Sequence, residues 1–222
     1  LKVLVTRPEP GARATAARLI ALGHEPILAP CLSIVPRPAA LPENPGAIIV
    51  TSGQAVPALP ASYHQVTVFC VGDATAGRLR QAGFCSVESA GGDARDLFRL
   101  VTARRVAGAH LLACGARQGV ALARQFREAG IVVERRVVYA ARPVARLPEA
   151  ALQALNGTKI EAALFYSAET ARAFGRLAPP NLETIAAYAL SPAIADGLRG
   201  MAWRAIHVAA APTEADLLAL LT

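Results

Sequence analysis

Two stretches decide how this chain is read: VLVTRPEPGARATAARLIALGHEPILAP at 3–30 and LLACGARQGVALARQFREAGIVVERRVVY at 111–139. Each runs through a short apolar segment, a polar turn, an Arg- and Ala-rich helical segment, a glycine and a second apolar segment. The likeness extends outward. IIVTSGQAVPAL (48–59) matches ALFYSAETARAF (163–174), and FCVGDATAGRLRQAGF…SAGGDARDLFRLV (69–101) matches YALSPAIADGLRGMAW…AAAPTEADLLALL (188–221). Three modules thus occur twice in the same order, which implies two similar α/β domains with a cleft between them. Chance likeness among strand-turn-helix units is the competing account.

Between these modules the pattern alternates short β-like runs with helical stretches. Strands are expected at 2–6, 26–29, 47–51, 66–71, 110–114, 131–139, 161–166, 184–190 and 204–209. Helices are expected at 11–22, 73–82, 93–104, 117–129, 168–176, 192–199 and 213–221. Ala16, Leu19, Ile20 and Leu22 give one helical stripe; Leu122, Phe126 and Ala129 give another. Alternating strands and helices mean parallel sheets with helices on both faces. PRPAALPENP (36–45) and RPVARLP (142–148) read as connectors.

Composition narrows the function. With 222 residues, 54% of them hydrophobic and 18% charged, the chain has material for a large core and little tendency to disorder. Its apolar runs, such as AIIV (47–50) and VTVF (66–69), stop well short of the roughly 18 residues that span a bilayer. The first residues lead straight into Thr6-Arg7-Pro8 without a signal-peptide pattern, so the chain reads as soluble and intracellular. Net charge is +7 and nearly all cations are arginine, with Lys2 and Lys159 the only lysines. Two readings stand. Arginine's planar fork suits carboxylate or phosphate ligands, while a GC-rich genome raises Arg, Ala, Gly and Pro together. No basic block occurs and aromatics are only 5%, which argues against nucleic acid. Cys31, Cys70, Cys85 and Cys114 lack CxxC spacing and read as small buried residues; the four histidines are scattered, so no metal site is expected.

Several expected strands end in a hydroxyl or glycine turn at a helix start. These are Thr51-Ser52-Gly53, Gly72-Asp73-Ala74-Thr75, Tyr166-Ser167-Ala168, Ser191-Pro192-Ala193 and Pro212-Thr213-Glu214. Ligands of open parallel sheets bind outside the carboxyl ends of the strands, where helix N-termini suit anions. Each Ser or Thr also reads as an ordinary N-cap. Gly91-Gly92-Asp93 precedes a helix, but no GxxxxGK[ST] or GxGxxG supports a nucleotide, and no GxSxG supports a hydrolase. Tyr139 ends a strongly apolar strand, either as a core residue or as a group with chemistry to perform.

The order of these motifs resembles the uroporphyrinogen-III synthase family over essentially the whole chain. Thr6-Arg7-Pro8, Thr51-Ser52…Ala55-Val56, Val71-Gly72…Thr75-Ala76, Val138-Tyr139 and Pro212-Thr213…Leu217 fall in family order. The resemblance implies two flavodoxin-like domains joined by a two-stranded β-ladder, with the active site in the interdomain cleft. One domain would combine 1–34 with 148–222; the other would be 37–142. The implied substrate is hydroxymethylbilane, a linear tetrapyrrole with eight carboxylates, closed to uroporphyrinogen III with inversion of its last ring through a spiro intermediate. The resemblance further implies a cofactor-free, monomeric, cytoplasmic lyase of haem-type porphyrin biosynthesis, with transient hand-over from hydroxymethylbilane synthase and neither nucleic-acid nor membrane partners. Carried over by position, Tyr139 would assist the departing hydroxyl. Arg7, Thr51, Ser52, Thr75, Ser167, Ser191 and Thr213 would hold carboxylates. Two departures from the family stand out: Ala193 and Ile194 lack a threonine expected after Ser191-Pro192, and Gln54 stands where some members have arginine. A non-catalytic two-domain binding protein is the alternative, and an export signal would distinguish it.

Overall fold

The computed structural model describes residues 1–157 and 159–221. The chain opens with β1 (Lys2–Val5), α1 (Gly11–Ala21) and β2 (Glu25–Leu28). It continues through β3 (Leu32–Pro36), β4 (Ala47–Val50), β5 (Val68–Cys70), α2 (Asp73–Gln81), β6 (Val87–Ser89) and α3 (Ala94–Arg104). Next come β7 (His110–Gly115), α4 (Val120–Glu128) and the long β8 (Val133–Pro143). The last third holds α5 (Glu149–Asn156), β9 (Ala162–Phe165), α6 (Ala168–Arg176) and β10 (Ala186–Ala189). It ends with α7 (Pro192–Asp196), β11 (Ala205–Val208) and α8 (Glu214–Ala219).

Two compact units result, one formed by Leu1–Ser33 with Arg142–Thr222 and the other by Ile34–Ala141. The first holds a sheet ordered β11-β10-β9-β1-β2, parallel throughout. Read from β2, its strands run second, first, third, fourth, fifth along the unit's own chain, the flavodoxin-type order. The second unit holds β8-β7-β4-β5-β6, also parallel, with β3 beside β8. Counting β7 and β8 before β4 gives the same order again. Segments 3–30 and 111–139 therefore do the same job, each supplying the first strand, first helix and edge strand of a sheet. The chain passes between units within β3 and within β8, and those two strands are neighbours.

Both faces of each sheet are covered, which explains the unbroken apolar runs. In β4, Ile48 and Val50 pack with Val68, Leu111 and Leu79, while Ala47 and Ile49 pack on the other face with Phe69, Leu97 and Phe126. The side-chain period of two in a strand sends alternate residues to the two layers. Burying each large side chain such as Phe69, Phe126, Phe165 or Phe174, all inaccessible to solvent, contributes about 1.5–3 kcal/mol.

The structure corrects several local expectations. The buried face of α1 is Ala12, Thr15 and Leu19, whereas Ile20 and Leu22 are exposed. Spacings of three and four from Ala12 select that face and leave Ile20 off it. GQAVPA forms a 3-10 turn, Gly53–Ala58, where its counterpart forms α6. Pro57, which lacks an N–H, blocks a regular α-helix there. Residues 142 and 143, read as connector, complete β8. Three of the cysteines are buried, but Cys85 is exposed. Among the described residues, no helix is long and apolar enough to cross a membrane.

Candidate active site

In parallel sheets all strands end along one edge, and the strand order places a switch point between β1 and β9 in the first unit and between β7 and β4 in the second. Connections leave those strand pairs on opposite faces, which opens a crevice at each edge. The candidate residues fall on these edges. Arg7, Ser167, Ser191 and Thr213 follow β1, β9, β10 and β11; Thr51 and Ser52 follow β4, Thr75 lies in the first turn of α2 after β5, and Tyr139 lies on β8 beside the end of β7.

In the second unit Tyr139 pairs with Gly115 across an irregularity that begins after Cys114. Its ring belongs to the core with Val50, Ala113 and Val138 and is only 3% exposed. Its hydroxyl, however, donates to Oε1 of Gln118 at 2.9 Å. A Cβ on Gly115 would sit 2.8 Å from the ring, so glycine is what lets the phenol lie across the end of β7. Arg135 fastens the same loop, donating to Gln118 O at 2.8 Å and to Ala116 O at 3.0 Å. Tyr139 is therefore a core residue with its polar tip at a strand end.

Beside it, Ser52 caps the 3-10 turn, accepting from Gln54 N at 3.3 Å. Oγ1 of Thr51 is shielded from solvent and has no hydrogen-bond partner among the described residues. A buried hydroxyl in that condition costs about 1–3 kcal/mol. Arg78 lies against Gly53, where a Cβ would approach its Cδ to 2.7 Å. The sequence reading missed this arginine; the glycine in Thr51-Ser52-Gly53 was the available signal.

In the first unit Ser167 caps α6, accepting from Thr170 N at 3.1 Å, and Thr213 caps α8, accepting from Asp216 N at 3.1 Å. Ser191 stands at the start of α7 and makes no side-chain cap bond. Arg7 stacks on Tyr166, its guanidinium carbon 4.1 Å from the ring centroid, and reaches Glu214 Oε1 at 3.3 Å. Tyr166 donates to that same oxygen at 2.9 Å. Burial pushes the Tyr166 phenol above its ordinary range, with Thr15, Arg7 and Arg18 acting against that rise. Thr15 and Arg18 are not among the residues the sequence marks, and Tyr166 and Glu214 enter there only as neighbours of the turn hydroxyls Ser167 and Thr213. Burial also holds Cys31 and Cys70 as thiols, with pKa values of about 12 and about 11, so neither is a ready nucleophile.

The family model described as uroporphyrinogen-III synthase HemD matches residues 13–219. The chain belongs to the uroporphyrinogen-III synthase family. Membership gives it the cyclisation step of tetrapyrrole biosynthesis and hydroxymethylbilane as substrate. Solved structures of uroporphyrinogen-III synthases share the fold. That from Helicobacter pylori 26695 is 19% identical with a TM-score of 0.65, covering 99% of this chain and 97% of its own. A mutant enzyme from Thermus thermophilus is also 19% identical, with a TM-score of 0.54, covering 100% of this chain and 97% of its own. No curated protein matches the chain. The departures from the uroporphyrinogen-III synthase pattern at Ala193 and Ile194 fall in α7, where Ile194 and Ala195 are buried against the unit. Ile194 is thus a packing group and Ala193 an exposed methyl, so neither position presents a hydroxyl.

Proposed function

We propose that this chain is a lyase that closes hydroxymethylbilane to uroporphyrinogen III, with Tyr139 as proton donor and the strand-end hydroxyls, backbone N–H groups and Arg7 as carboxylate anchors. The reaction loses one water and changes no oxidation state, so it requires no electron carrier. Departure of the hydroxyl leaves an azafulvene. The terminal ring attacks it through a substituted carbon, and the spiro intermediate fragments and recombines with that ring inverted. A phenol carries its proton at neutral pH, its reference pKa being about 10, and so can hydrogen-bond the oxygen as it leaves. Gln118 Oε1, the present acceptor at 2.9 Å, fixes where that O–H points. The observation that carries the reading is the family match over 13–219. Its test is the isomer composition of the product, type III from the enzyme and type I from unassisted closure. Cytoplasmic location, a monomeric state and hand-over of substrate from hydroxymethylbilane synthase belong to the same proposal.

We further propose that 37–142 is an autonomous domain and that 1–34 joins 148–222 as the other. A fragment of residues 37–142 retains β4 to β7 and nearly all of β8, lacking only the edge strand β3. It should unfold cooperatively in denaturant. A 1–110 fragment loses β7 and β9, the strands flanking β4 and β1, and should remain unfolded by circular dichroism and hydrogen exchange. A stable 1–110 unit would overturn this division.

A further inference from the structure

Four donors converge on one carboxylate in the first unit. Oε1 of Glu214 accepts from Arg7, Tyr166 and Thr15, and Oε2 pairs with Arg18. The donors come from two regions far apart in sequence: Arg7, Thr15 and Arg18 from the turn after β1 and the helix α1 that follows it, and Tyr166 from the end of β9. Arg7 is braced twice more, by the face of Tyr166 and by Gly11, where a Cβ would fall 2.6 Å from its Nε. Two guanidinium groups and two hydroxyls directed at one point make a carboxylate-binding site. The carboxylate it holds is the chain's own. The site is also reachable, since the Arg7 and Glu214 side chains keep 28% and 18% exposure.

We propose that Glu214 is an internal occupant of a carboxylate-binding site, and that a carboxylate of a polyanionic ligand displaces it to engage Arg7, Arg18, Tyr166 and Thr15. This rests on the reading of Arg7 as a substrate-binding residue. Exchanging one carboxylate for another leaves the hydrogen-bond inventory unchanged, so the exchange costs little in bond energy. It still sets a threshold, because Glu214 competes at the high effective concentration of a tethered group. A monocarboxylate at ordinary concentration loses that competition. A ligand already anchored by other carboxylates carries an effective concentration of its own and wins. Glu214 thus selects for polycarboxylates.

The test uses the full chain and mellitate, a benzene hexacarboxylate that is not a substrate, followed by isothermal titration and thermal unfolding. Glu214→Gln keeps the size and an acceptor oxygen but removes the competing charge. It should bind mellitate about tenfold more tightly than the wild type at equal ionic strength, and mellitate should raise its Tm by mass action. The gain should vanish in the Glu214→Gln/Arg7→Gln double variant. Glu214→Asp keeps the charge but falls one methylene short of the donors, and should lie between the two. Equal affinity of wild type and Glu214→Gln, or a gain that survives loss of Arg7, would overturn the proposal. Should Glu214→Gln not fold, a Glu214→Asp affinity no higher than the wild type would do so. Tighter mellitate binding without type III product would leave the site standing and remove the assigned reaction; type III product without any change in mellitate affinity would do the reverse.

Discussion

Tyr139→Phe should lower turnover by roughly ten- to a hundredfold, the lower end of what general-acid help supplies, while KM changes little. The pyrrole nitrogen already pushes the hydroxyl out of the substrate, so the phenol is asked for only part of the barrier. The substitution removes one oxygen and leaves the ring among Val50, Ala113 and Val138. Losing the bond to Gln118 should cost about 1 kcal/mol of stability. Steady-state kinetics and a denaturant titration separate the two effects. Ser52→Ala should cost little turnover, since its hydroxyl serves as a cap to Gln54, and Thr75→Ala should do the same if backbone N–H groups do most of the anchoring. Should Tyr139→Phe turn over like the wild type while Thr75→Ala is inactive, the donor role lies elsewhere and Tyr139 is a core tyrosine alone.

Gly115→Ala should be more damaging than its single methyl group implies. The added carbon would lie 2.8 Å from Cε2 and Cζ of Tyr139 and 3.0 Å from its hydroxyl oxygen. A buried ring in a packed core has nowhere to step aside, and overpacking of this kind costs about 1–3 kcal/mol. The displacement also swings the phenol away from the end of β7. Turnover should therefore fall at least as far as in Tyr139→Phe, with a lower denaturation midpoint. In the double variant the turnover losses should not add, because both substitutions remove the same hydroxyl from the same place. Wild-type turnover in Gly115→Ala would show that the position of the phenol is irrelevant to the reaction.

The repeat made the architecture legible. Segments 3–30 and 111–139 became β1-α1-β2 and β7-α4-β8, in equivalent places of two sheets with one strand order. Continuous apolar runs such as AIIV stood out because both faces of each sheet are buried. What escaped notice had little periodic signal. β6 is three half-buried residues, VES. α5 was overlooked although Ala151 and Leu155 have helical spacing; eight residues behind a proline-bearing connector made a faint stripe. The candidate edges were legible because hydroxyls and glycines follow apolar runs directly. The partnerships were not. Arg7 meets Glu214 across 207 positions, and Arg78 meets Gly53 from a separate helix. Local pattern carries no information on such pairs, since they depend on which strands become neighbours. Thr51 illustrates the same limit: its residue type marked a turn, whereas the burial of its oxygen follows from packing alone.

What sets this chain's reaction apart is the ring inversion it imposes on a substrate that otherwise closes without one. Hydroxymethylbilane supplied to the purified protein, followed by oxidation and chromatographic separation of the uroporphyrin isomers, measures that directly. Type III should be the dominant isomer, in a yield that rises with protein concentration and falls in Tyr139→Phe. Product that remains entirely type I at every concentration of folded protein would refute the assignment.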